Sequence, residues 1–121
     1  MKIPVIKCSK IKFYLQFLYL FNNFKFRLSD NGMKLLSRIL CMYDDYRQNH
    51  LGVGHDVVSN KVMDEIALKL IQEELGWKKN VMNRYMNELE DKGVVVDGKL
   101  VEYVCLDSKR GSELVISWEV E

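Results

Sequence analysis

Leu75–Val95 reads LGWKKNVMNRYMNELEDKGVV. Gly76 and Gly93 punctuate it, each where a helix would end. Between them Met82, Met86 and Leu89 recur at steps of four and three, the buried stripe of a helix over 78–92, with Val81 and Tyr85 flanking it. Trp77 is an apolar residue placed to close the turn before that helix, and Lys92-Gly93-Val94-Val95 leaves it as an aliphatic run.

Upstream, residues 59–75 (SNKVMDEIALKLIQEEL) predict a partner helix capped by Ser59, with Val62, Ile66 and Leu70 repeating every four and Met63, Ala67 and Ile71 alongside. Residues 48–58 read as a loop, or as a loop with a short strand at 56–58. Before it, 29–47 predict a helix capped by Ser29, helped by Asp30 and slightly weakened by Gly32, with Leu36, Ile39, Leu40 and Tyr43 as its buried stripe. Residues 9–22 predict a further helix, apolar nearly all round. Aromatic residues also favour strands, but the run shows no alternation. Residues 2–8 read as an extended arm containing Pro4.

Downstream the period changes to two. Asp97-Gly98 is a hairpin-turn signal, and Leu100–Leu106 and Glu113–Val120 read as strands. The expected fold is therefore α+β, mainly α: helices at about 9–22, 29–47, 59–75 and 78–92, then a β-hairpin over about 94–120. At 121 residues the chain forms one domain, a basic, apolar arm and helix over 1–28 followed by a core over 29–120.

This order resembles the winged helix-turn-helix family, with the hairpin as the wing. The resemblance covers residues 29–120 and is carried by Leu75–Val95; it is similar to small winged-helix proteins encoded by tailed bacteriophages. It implies that the helix over 78–92 enters a DNA major groove. The outward positions would then be Lys78, Lys79, Asn80, Asn83, Arg84 and Asn87. Arg forks onto guanine, Asn onto adenine, and Lys neutralises phosphate. Lys109 and Arg110 at the wing tip would reach the adjacent backbone.

Charge tempers that expectation. The net charge is only +1, Glu88, Glu90 and Asp91 end the 78–92 helix, and Asp64, Glu65, Glu73 and Glu74 load the one before it. Phosphate neutralisation supplies much of DNA affinity, so acids facing the duplex would weaken it. Residues 1–29 carry six basic residues and no acid, which suits either nucleic acid or an acidic partner chain. The apolar helix over 9–22 needs a second surface, and Phe13, Phe17, Leu20, Phe21 and Phe24 are the candidate oligomer interface.

No catalytic constellation emerges, and an enzyme is not expected. Cys8, Cys41 and Cys105 form no CxxC pair and read as reduced thiols of an intracellular protein. His50, His55 and Asp56 lack a metal-clamp spacing and read as loop residues. Met82 and Met86 read as core. The apolar run at 13–21 is too short to span a bilayer and lacks a cleavage site after it. The expectation is a homo-oligomeric module with no cofactor, metal or small-molecule substrate. Its partner is double-stranded DNA if it is a regulator in a bacterial cytoplasm. If it is a head–tail connector or ring component, its partners are other virion proteins.

Overall fold

The computed structural model describes Leu15 and residues 27–101. Four helices and one small sheet follow in order: α1 (Asp30–Asn49), α2 (His55–Val62), α3 (Glu65–Leu75), α4 (Lys79–Asp91), β1 (Val95–Val96) and β2 (Lys99–Leu100). The fold of the described residues is mainly helical, with one two-stranded antiparallel sheet. None of their helices is long and apolar enough to cross a membrane.

The central element is α1, which packs against α2, α3 and α4. Ser29 caps it as expected: its Oγ accepts from Gly32 N at 3.1 Å. Leu35, Leu36, Ile39, Leu40 and Tyr43 are buried on α1, against Val58 and Val62 of α2, Ile71 of α3, and Met82 and Leu89 of α4. Leu15 packs half-buried on this core. The other residues of the helix expected over 9–22, the candidate interface Phe13, Phe17, Leu20, Phe21 and Phe24, and the part of the expected hairpin beyond 101 lie outside the described residues.

The expected helix over 59–75 is instead two helices. Asp64 adopts an extended conformation, and its carboxylate accepts from Ala67 N at 2.7 Å, starting α3 afresh. The break separates Val62 from Ile66 and Leu70, so the repeat of four does not share a face. Val62 is 1% exposed, whereas Ile66 is 75% and Leu70 55% exposed. The side of α3 turned inward holds Ala67 and Ile71, with Leu68 and Leu75 half-buried.

Two further expectations change with α2. Residues 56–58 are helical, not a strand, and Ser59 sits inside α2, not at its cap. Gly54 is the N-cap there and offers no side chain. His55 opens the helix and is no loop residue.

The ends of α3 and α4 match their local signals. Gly76 takes φ +70°, and Trp77 N donates to Gln72 O while Gly76 N donates to Glu73 O. Val94 N to Leu89 O and Gly93 N to Glu90 O close α4 in the same way. This paired arrangement satisfies the last carbonyls of a helix and turns the chain sharply. Asp97 and Gly98 both have positive φ, 53° and 75°, the turn whose twist suits a two-residue hairpin. Val95 pairs with Leu100 and Val96 with Lys99.

Candidate nucleic-acid interface

The site is built on α4, thirteen residues with an apolar side held in the core by Met82 and Leu89. Three contacts fix its roll. Trp77 packs on Tyr85 with ring centroids 5.1 Å apart. Asn31 Nδ2 of α1 donates to Tyr85 Oη at 2.9 Å. Ser29 donates to Glu88 Oε1 through its hydroxyl at 2.7 Å and its backbone N–H at 3.3 Å. A Cβ at position 32 would meet that same carboxylate, which would have to shift.

With this roll fixed, Lys79, Asn80, Asn83, Arg84 and Asn87 are exposed on one side, and Lys78 is exposed at the extended N-cap before the first turn. At 3.6 residues per turn, the three asparagines fall within an arc of about 60°, with Lys79 on one edge and Arg84 on the other. The side chains of Asn80, Asn83 and Asn87 have no hydrogen-bond partner among the described residues. Arg84 lies over the Tyr85 ring, 5.7 Å from its centroid, and so leans away from the asparagines. Lys109 and Arg110 lie outside the described residues.

The start of α4 has no side-chain cap and no acid in its first turn. Its first N–H groups therefore remain available, and they carry the positive end of the helix dipole. Lys78 and Lys79 add two full positive charges there. Phosphate is well matched to such a helix start.

The acids are placed less adversely than their count suggests. Glu88 is turned back onto Ser29. Asp64 caps α3, and Glu74 pairs with Arg38 of α1. Glu90 and Asp91 remain exposed in the last turn of α4, and at 3.6 residues per turn both fall on the same side as the asparagines, beyond Asn87. At 1.5 Å per residue Glu90 lies roughly 16 Å along the axis from Lys79. Glu65 and Glu73 of α3 remain exposed as well.

Beside this face an open groove of about 530 Å³ runs between α3 and α4. Met63, Leu68, Met82 and Met86 supply its apolar lining, and Glu65, Lys69, Gln72, Lys79 and Asn83 its polar lining. Met82 is core as expected, but Met86 is only half-buried.

A second cluster was not legible from the sequence. His55 bridges three elements: Leu100 O accepts from Nε2 at 2.8 Å, which leaves Nδ1 to accept from Tyr43 Oη at 2.6 Å. One turn on, Ser59 Oγ accepts from Leu100 N at 2.8 Å. Asp56 and Lys99 add an exposed ion pair at 3.6 Å. Thus α2 grips both backbone groups of Leu100 in β2 and fixes the hairpin beside α4. No three metal-ligating side chains gather among the described residues.

Comparison with protein-family models, curated proteins and solved structures found no match to this chain.

Proposed function

We propose that this chain is a non-enzymatic winged-helix module that binds double-stranded DNA. In this reading α4 lies in the major groove, and the hairpin beginning at Val95 is the base of the wing. A regulator acting as a dimer in a bacterial cytoplasm is the role that suits it. One observation carries the reading: in the first turns of α4, cations and amides that have no partner among the described residues gather on one exposed side, beside a helix start with no side-chain cap. Those groups are what phosphates and base edges accept and donate to. The grip of α2 on Leu100 supports it, because a wing must hold its place relative to the recognition helix.

The test is duplex binding by the full chain at about 50 mM salt, where charge contacts weigh most. Lys79→Glu and Arg84→Glu should each weaken binding by at least about tenfold, and the loss should shrink as salt rises. A wild-type chain that binds no duplex, or two variants that bind unchanged, refutes the reading.

One observation favours a second reading, a virion component working through protein contacts. Ile66 and Leu70 stand exposed four residues apart on α3. Native mass measurement separates the two. A ring, or a stable complex with other virion proteins, supports the second reading. A free dimer that binds DNA eliminates it.

A further inference from the structure

We infer that α4 divides its labour: the asparagines read adenine in the major groove, while the cations supply affinity without sequence preference. The inference rests on the DNA-binding reading above and adds the ligand's base composition.

The argument starts from position on the helix. Over the first two and a half turns Asn80, Asn83 and Asn87 occupy the middle of the exposed side, with Lys79 and Arg84 on its two edges, and Glu90 and Asp91 follow only in the last turn. A helix seated in a groove turns the middle of its exposed side to the bases and its edges to the phosphate walls. Arg84 is drawn further toward an edge by its place over the Tyr85 ring. A guanidinium held there meets phosphate, not guanine. The central amides meet base edges.

Chemistry then selects the base. A carboxamide offers one acceptor and a two-hydrogen donor side by side. Adenine alone presents the matching pair in the major groove, the N6 amino group and the N7 acceptor. The three amides are exposed and have no partner among the described residues, so reading adenine breaks no contact there. From Asn80 to Asn87 the helix rises roughly 10 Å. That spans about three base-pair steps at about 3.4 Å each. The fitting site is therefore a short run containing adenines at nearby steps, not a guanine-rich one.

The test uses the full chain and three duplexes of equal length: one with a central adenine run, one with a G·C centre, and one with 7-deazaadenine in that run. The last probe removes the N7 acceptor from the major groove and leaves the minor groove intact. The adenine duplex should bind about tenfold tighter than the other two. Replacing Asn80, Asn83 and Asn87 together by Ala should bring the adenine and G·C affinities to within about twofold of each other, with Asn83→Ala alone giving part of that loss, and both should leave the salt slope unchanged. Lys79→Ala should weaken both equally and lower the slope by about one. The three asparagines are exposed, so a thermal melt no lower than wild type confirms that each of these variants folds. If duplexes bind without adenine preference, or deazaadenine binds as adenine does, this inference falls while DNA binding stands. If no duplex binds, both fall.

Discussion

The helices α3 and α4 are neighbours of similar length, yet their exposed sides are made differently. Helix α3 begins on the Asp64 cap and ends at Gly76, so both termini are satisfied. Its outer side mixes Glu65, Ile66, Lys69, Leu70 and Glu73. Helix α4 ends as well as α3 does but starts on Lys78 with no cap bond. Its outer side carries three asparagines, which rank well below alanine, glutamate or lysine as helix formers. One helix is made to be stable, and the other is less stable than its length allows. In the DNA reading, the missing cap and the weak helix formers are the binding groups themselves.

The largest expected effect breaks what the two helices share, the core. Leu89→Ala in α4 removes a side chain with no exposure and should cost about 2–5 kcal/mol. Leu70→Ala in α3, at 55% exposure, should stay within about 0.5 kcal/mol. Urea denaturation of both variants measures the contrast, and similar losses would mean that α3 is turned differently in solution.

Next comes the grip on the hairpin. Ser59→Ala leaves the buried Leu100 N–H without its acceptor and should cost about 1–3 kcal/mol. Amide hydrogen exchange should show faster exchange at Leu100, with α4 little changed. Unchanged protection at Leu100 would mean that Ser59 does not hold β2.

The helix starts give the sharpest form of the comparison. Asp64→Ala should destabilise by about 1 kcal/mol, since it removes the bond to Ala67 N. Lys78→Asp should do the reverse, stabilising α4 by about 0.5–1 kcal/mol through the cap that it lacks. That same change places a carboxylate where the reading puts phosphate, so DNA binding should fall. A variant that is both more stable and a better binder would show that the open helix start has no role in binding.

The smallest effect concerns the amides. Asn87→Ala should raise stability by a few tenths of a kcal/mol, about the propensity difference at an exposed helical position. A thermal melt that shows a loss instead would reveal a contact made by this side chain.

Much of the architecture was legible because its signals act over a few residues. Ser29 caps its own third neighbour, Gly76 closes α3, and Asp97-Gly98 turns the hairpin. The exposed side of α4 followed from the stripe of Met82 and Leu89, since a helix with a buried side has an opposite one. The same periodicity misled at Val62, Ile66 and Leu70. A spacing of four marks one face only while the helix is continuous, and Asp64 interrupts it.

By itself, then, the sequence determined the helix from Asp30, the ends at Gly76 and Gly93, the hairpin turn and the exposed residues of α4, but not α2 or the fresh start of α3 at Asp64. The former follow from hydrogen bonds and side-chain directions within about one or two turns. Tertiary structure alone decided the roles of Glu88, His55 and Ser59. Their partners stand 59, 45 and 41 residues away along the chain. A carboxylate, an imidazole or a hydroxyl on a helix has many possible partners, and packing of α1 against α2 and α4 selects one for each. That packing turned Glu88 from an acid opposing phosphate into a latch on the start of α1, and an expected loop histidine and an expected helix cap into the grip on the hairpin.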